Sequence, residues 1–548
     1  MTDAMTFPAA MAAIVCGVVV SGCAGRSGAL TLHPASAMVR IGGPGGVPAP
    51  PQAGRYELEL AGNESEALQV LVRRRGADGG AGETARVDID IQALAARPGG
   101  PMFRVYQVLD VHHTGPAEHP RFKVPTRNVG WVPDVCLPTH RAVAQAHRPD
   151  EVTFLLDVYA GRWAVAGDWR YRVCFRHANA DAAAAVLDLT VHVRPFALPV
   201  PLPFKTAVTW NWGIQKYLGR ALTPAERLAY LDFFLRHRFT PASFWSVGPD
   251  MSAVEIEHVV ANGGNVFQVY GRGGKRPLTD KQKADLAPKL RQWRATMTQA
   301  RALDCCYALI ADEPADDEIP VIRANAEWLK GVFPELRIWV ATRPRKELMD
   351  VVDCWDVVTA ASTPLYQPHC FTPEGLAMAR QAPRRPEYWW FYSVEPYAPH
   401  PNARIDNALV DSRAIGWMSF AAGVDGFEYF WATDWSANAD LRDLPWPAKA
   451  GRWRLGLSGA GQLCYPGDDG LPIPSLRLIN LRDGMEDWAA FARAGDRLRA
   501  GAPEDVRDPA GLAQLRRKVY GLLSGGVEDT PSTRSVGRPL SRGGASSL

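Results

Sequence analysis

The chain reads as an all-β sandwich followed by a (β/α)8 barrel with C-terminal helices, and three features of the 548-residue sequence predict this. From about Ala29 to Val193, short alternating segments such as Tyr56-Glu57-Leu58-Glu59-Leu60 and Val152-Thr153-Phe154-Leu155-Leu156-Asp157-Val158 are separated by turns rich in Gly, Pro and Asp, the pattern of a sandwich. The stretch from Arg194 to Pro203 carries proline at a density that resists both helix and central strand, so it reads as a stiff connector. Beyond it, strand-like runs alternate with helical ones, as a parallel sheet covered by helices requires.

About eight strands are expected in this second part. They are Thr206 to Trp212, Ala242 to Val247, Asn265 to Tyr270, Tyr307 to Ala311, Arg337 to Ala341, Asp356 to Ala360, Tyr388 to Val394 and Gly426 to Trp431. Helices are expected over Pro224 to Arg238, Asp280 to Leu303 and Ile319 to Phe333. The first opens on Thr223-Pro224 with Glu226 three positions after the threonine, a capping box. A terminal helix or two is expected from Glu486, and the Gly/Ser/Arg-rich end from Gly525 cannot bury a core. The expected division is 1–28 leader, 29–198 sandwich, 199–500 barrel and 501–548 C-terminal helix and tail.

The apolar run Ala9 to Gly22 has the length of a signal-peptide core and is too short to span a bilayer comfortably. Its end, Val20-Ser21-Gly22-Cys23, resembles the bacterial lipobox, which implies export and a lipid on Cys23, hence a cell-envelope location with the membrane reached only through that anchor. The segment before the run holds Asp3 and no Lys or Arg, a departure from the usual positive n-region. The cysteines that follow show no zinc-like or redox spacing, so no disulfide framework or metal site is expected. The 61 basic and 58 acidic residues leave a net charge of +3 with no dense basic run, which gives nucleic acid no footprint. A P-loop, a full dinucleotide fingerprint and an HExxH motif are absent, so no cofactor is expected.

Barrel active sites collect where strands end, so polar residues directly after apolar strands are the candidates. Tyr307-Ala308-Leu309-Ile310-Ala311 runs straight into Asp312-Glu313-Pro314. Adjacent carboxylates leaving a strand can meet different environments, one kept protonated as an acid and the other ionised. A helix-capping role for the pair is the competing structural reading. The seventh strand ends in Glu395 beside Tyr392, and the eighth passes Tyr429 and Trp431 to end in Asp434 and Trp435. The first contributes Trp210 and Trp212. Aromatic walls around convergent carboxylates suit a sugar, whose C–H faces stack on rings while its hydroxyls seek carboxylates. With 18 Trp residues, barrel packing is the alternative use of each indole.

Five blocks then carry a resemblance: Ala308-Leu309-Ile310-Ala311-Asp312-Glu313-Pro314, Arg413 to Met418, Gly423 to Trp431, Cys464-Tyr465-Pro466-Gly467 and Ser475 to Asp487. Together with Asn63 to Gln69 and Gly130 to Asp134, in order and spacing, they resemble the glycoside hydrolase family 123-like proteins, the group also called domain of unknown function 4091. The resemblance implies retaining hydrolysis of a β-linked N-acetylhexosamine, with N-acetylgalactosamine favoured. It also implies substrate assistance, in which the acetamido oxygen attacks the anomeric carbon. Asp312 would then orient the acetamido N–H, Glu313 would act as acid and base, and Tyr392 or Tyr429 could supply a hydroxyl to the acetamido pocket. Two other readings stand beside it: an ordinary retaining pair of Glu313 and Glu395 with carboxyls ~5 Å apart, and a glycan-binding surface lipoprotein without turnover.

Overall fold

The structure is a computed structural model that describes residues 30–42, 54–74, 84–95, 97–113, 129–178, 180–244, 246–271, 276–436, 438, 459–495 and 507–525. The leader expectation and Cys23 lie outside these residues, as does the tail from 526.

Ten strands build the first part: β1 (Leu30–Ser36), β2 (Arg55–Gly62), β3 (Glu64–Arg74), β4 (Arg86–Ala93), β5 (Met102–His113), β6 (Gly130–Pro138), β7 (Arg141–Val143), β8 (Glu151–Ala160), β9 (Gly167–His177) and β10 (Ala185–Ala197). They pair in two five-stranded sheets of order β1-β3-β8-β5-β6 and β2-β10-β9-β4-β7, antiparallel except for the parallel pair β10/β2. Leu68, Val70, Phe154 and Leu156 of one sheet meet Val173, Phe175, Leu187 and Leu189 of the other to form the sandwich core. The first nine residues of β3 are all buried, however, because the sheet's second face is covered too. Alternation of polar and apolar residues therefore fades in β3, as expected for a strand with no solvent face.

The barrel strands are β11 (Lys205–Thr209), β12 (Thr240–Ala242), β13 (Phe267–Gly271), β14 (Cys306–Asp312), β15 (Arg337–Ala341), β16 (Cys354–Val358), β17 (Glu387–Tyr392) and β18 (Gly426–Tyr429). They form one sheet of order β12-β11-β18-β17-β16-β15-β14-β13 in which all the pairings are parallel. Outside it run α1 (Ile214–Leu218), α2 (Pro224–Arg236), α3 (Ala253–Ala261), α4 (Asp280–Gln299), α5 (Ile319–Val332), α6 (Pro373–Gln381) and α7 (Leu409–Ala422), with only a short 3₁₀ turn between β15 and β16. The capping box forms as expected: Thr223 accepts from the Glu226 amide and the Glu226 side chain accepts from the Thr223 amide.

Two expected boundaries move. The second barrel strand occupies Thr240–Ala242, and most of the expected run to Val247 is irregular chain joined to Tyr270 by one isolated bridge. The terminal helix α8 (Leu476–Ala494) begins ten residues before Glu486, because Ser475 caps it through the Leu478 amide. A hairpin of β19 (Cys464–Pro466) and β20 (Pro472–Pro474) leads into it, and α9 (Pro509–Ser524) closes the described chain.

Helices α7 and α8 cross so closely that a Cβ on Gly416 would stand 1.8 Å from the Gly484 carbonyl oxygen. This crossing brings both helices under β3, where Leu409, Leu476 and Ile479 pack on Ala67, Tyr106 and Leu155. Arg413 donates to both oxygens of Glu66 at 2.8 Å and to Asp487 at 2.7 and 3.1 Å. Arg482 reaches Asp157 at 3.0 Å, and Arg477 reaches Asp134 at 3.0 Å. Arg516 of α9 bonds Glu64 and Asp487. The sandwich and barrel are thus joined by an arginine and carboxylate network closed to solvent.

Candidate active site

The inner face of the barrel is set strand by strand. Tyr307 and Leu309 of β14, Trp339 and Ala341 of β15, Cys354 of β16 and Trp389 of β17 form the lumen core. Their neighbours Ala308, Ile310, Val340, Trp355, Tyr388, Trp390 and Tyr392 pack outward against helices. The floor is a polar plug in which Glu387 accepts from Lys205 at 2.7 Å, Arg337 at 2.6 Å and Tyr307 at 2.8 Å.

On β14 the alternation from Tyr307 and Leu309 would next send Ala311 inward. The register between β14 and β15 shifts at that point, and Asp312 instead pairs with Ala341. A bulge of this kind re-aims one side chain, and here it delivers Asp312 to the barrel mouth. Glu313 follows with φ +47, a left-handed conformation uncommon outside glycine, held by its amide's 3.0 Å bond to the Ala341 carbonyl. The helix-capping reading fails: Glu318 accepts the Ala315 amide at 2.8 Å and α5 starts at Ile319, so neither Asp312 nor Glu313 caps it.

Burial is the largest cause pushing the Glu313 carboxyl up to about 8, and the neighbouring Asp312 charge adds to it. A hydrogen bond with Tyr366 pulls the other way and the more distant Glu395 pushes slightly upward. Glu313 is therefore largely protonated at neutral pH, the state a general acid needs. It opens on a groove of about 770 Å³ whose walls include Arg343, Leu365, His369 and Met378.

Glu395 sits beside this pair but is spoken for. Its Oε2 accepts the Ser362 amide at 2.7 Å and the Thr363 amide at 3.3 Å, and its Oε1 accepts the Thr363 hydroxyl. The residue is fully buried and pins the loop after β16, the loop that carries Tyr366.

The rim holds Trp212 and Trp431, stacked with centroids 5.0 Å apart and planes 7° from parallel, with Trp212 37% exposed. Four other expected site residues do not reach the mouth. Trp210, Tyr392, Tyr429 and Trp435 are buried in the layer between strands and helices. Trp435 donates its indole N–H to the Cys464 carbonyl at 2.9 Å. Asp434 is buried and accepts from the Ser436 hydroxyl at 2.6 Å. The tyrosine hydroxyl beside the acid is that of Tyr366, which the sequence reading did not single out. It follows the sixth strand, so the strand-end rule applied to every strand would have found it. Among the described residues no group of three or more His, Cys, Asp or Glu is arranged to hold a metal ion.

Residues 254–493 match the family model described as glycoside hydrolase 123, catalytic domain. Over these residues the chain carries a glycoside hydrolase family 123-like catalytic domain. The matched span contains Asp312, Glu313, Tyr366 and Glu395. A family 123 glycoside hydrolase from Clostridium perfringens, described for glycolipid glycan hydrolysis, is similar in structure with a TM-score of 0.60 at 10% identity, over 90% of this chain and 98% of that one. A Bacteroides ovatus GH5 xyloglucanase is also similar, at a TM-score of 0.28 and 8% identity over 78% of this chain and 98% of that one. No curated protein matches the chain.

Proposed function

We propose that this glycoside hydrolase removes a β-linked N-acetylhexosamine with retention by substrate-assisted catalysis. The carrying observation is the state of Glu395. A retaining pair needs a second carboxylate free to attack from across the scissile bond, roughly 5 Å from the acid. Glu395 spends both oxygens on the Ser362 and Thr363 loop, whereas Asp312 and Glu313 leave one strand end side by side. A nucleophile is then supplied by the substrate. The acetamido oxygen closes on the anomeric carbon, Asp312 accepts the acetamido N–H and stabilises the oxazolinium, and Glu313 gives its proton to the leaving oxygen. Water then attacks the anomeric carbon as its bond to the acetamido oxygen breaks and the acetamide re-forms, the water's proton passes to Glu313, and the sugar is released with retained configuration.

Tyr366, rather than Tyr392 or Tyr429, supplies the hydroxyl at the acetamido pocket, and the Trp212 and Trp431 pair offers an indole face at the rim. N-acetylgalactosamine is the favoured sugar on family resemblance. The lipobox-like Cys23 supports export with lipid anchoring to the cell envelope. Nitrophenyl glycosides test the chemistry: β-N-acetylgalactosaminide or β-N-acetylglucosaminide is cleaved and a thiazoline analogue inhibits. Equal or better cleavage of β-glucoside or β-galactoside overturns the proposal.

A further inference from the structure

The lumen encloses two further carboxyl groups that this reaction does not use, Asp356 on β16 and Glu428 on β18, 1% and 6% exposed. Both point inward, since their strand neighbours Trp355, Val357, Phe427 and Tyr429 all lie in the outward core. The strand register sets their place relative to the catalytic pair. Asp312 pairs with Ala341, and the pairs Trp339/Cys354 and Val340/Trp355 put Asp356 next to Ala341 on the far side. Ala341 carries only a methyl group, so no large side chain on β15 separates Asp312 from Asp356. Glu428 lies two strands further round, where β18 pairs it with Phe391 of β17.

The surroundings offer these groups little that stabilises an anion. Asp356 Oδ2 accepts the Trp339 indole N–H at 3.2 Å, and Oδ1 is sealed from solvent without a hydrogen bond of normal geometry. The lumen cations Lys205 and Arg337 are committed to Glu387 in the floor. The indoles of Trp339 and Trp389, 5.0 Å apart by centroid, occupy the lumen core above that floor. The charged groups that act on the pair are Asp312 on both and Asp356 on Glu428. An isolated carboxylate desolvated in this way takes up a proton instead of bearing the cost of burial.

We propose that Asp356 and Glu428 are positioning residues, held as neutral carboxylic acids in the lumen beside Asp312, so that neither adds a like charge that would oppose ionisation of the Asp312 carboxylate. Burial first, and the neighbouring acidic groups after it, hold both carboxyls well above the usual carboxylate range. The role rests on the substrate-assisted reading, in which Asp312 must be ionised when the acetamido group arrives. Neutral carboxyl groups beside it add no like charge against that ionisation.

The test is a set of variants of the full chain. Asp356→Asn and Glu428→Gln keep shape and neutrality, whereas Asp356→Leu and Glu428→Leu remove the polar group. Infrared difference spectra at pH 7 of wild type against each neutral variant are expected to show a protonated carboxyl C=O band lost with each substitution. Asn and Gln variants are expected to hold kcat within about threefold and the same alkaline limb, while the Leu variants lose kcat by ~10²-fold with little change in KM, as displaced catalytic groups do. Absence of the carboxyl bands, or a loss in the neutral variants as large as in the Leu variants, overturns the proposal. The spectra are read without substrate. Failure of the acetamido preference would therefore sink the reaction scheme and leave the protonation result standing, and the reverse result would be equally separable.

Discussion

The molecule buries carboxylates in two places and treats their charge in opposite ways. At the seam between sandwich and barrel they are matched with guanidinium groups. Glu66 faces Arg413 and Arg516, and against the upward push of burial these cations hold it at about 2. Pairing there does not depress every carboxyl: burial lifts Glu64 to about 7 despite Arg516, and raises Asp483 despite Arg482 and Arg413. At the barrel mouth no cation is among the groups that shift Glu313, Asp356 or Glu428, and all three are raised. The seam therefore uses charge to fix two domains in register, while at the mouth burial outweighs any counter-charge among the described residues and keeps a proton available. Buried ion pairs specify geometry more reliably than they add stability, whereas a raised carboxyl is the working state of an acid catalyst.

The largest effect that separates the two regions is expected from Glu313→Gln, with kcat/KM down ~10³-fold or more and thermal unfolding at pH 7 no lower than that of wild type, since one general acid contributes on the order of 10²–10⁴-fold. Arg413→Ala should do the opposite. Leaving Glu66 and Asp487 buried without their cation is expected to cost ~3–5 kcal/mol in denaturant unfolding, with activity per folded molecule retained.

Smaller effects sharpen the contrast. Glu395→Gln keeps an acceptor for the Ser362 and Thr363 loop, so a loss of about tenfold or less in kcat is expected. A loss as deep as that of Glu313→Gln would restore Glu395 as nucleophile. Stability against pH carries the signature of both regions. Glu66 is depressed, so its contribution is present above its unfolded value near 4.5 and is lost as pH falls toward 2. Glu313 is raised, so its contribution is present below 4.5 and is lost as pH rises through about 8. Glu313→Gln should therefore unfold at higher temperature than wild type at pH 9 and not at pH 4. Trp431→Ala, at the rim, is expected to raise KM by a few-fold, about 1 kcal/mol of stacking.

Much of this was legible beforehand. Strand and helix alternation marked the barrel, and the strand-end rule found Asp312 and Glu313, because both follow from local periodicity. What failed was parity. Barrel strands are buried on both faces, so β17 reads as a continuous aromatic run in which nothing tells Trp389 from Tyr392. Tyr392 and Tyr429 were consequently placed at the mouth when they face helices. The bulge that turns Asp312 inward lies in pairing between strands, which local sequence does not carry. The seam was invisible for the same reason: Arg413 and Glu66 lie 347 residues apart. Blocks that carried the family resemblance, from Asn63 to Gln69 and from Ser475 to Asp487, contribute to that seam instead of the chemistry.

The pH dependence of kcat/KM on a nitrophenyl β-N-acetylhexosaminide tests the central claim most directly. Burial that keeps Glu313 protonated predicts an alkaline limb with an apparent value near 8, absent from the residual activity of Glu313→Gln. An alkaline limb near the ordinary carboxylate range, or one that persists unchanged in Glu313→Gln, would contradict it.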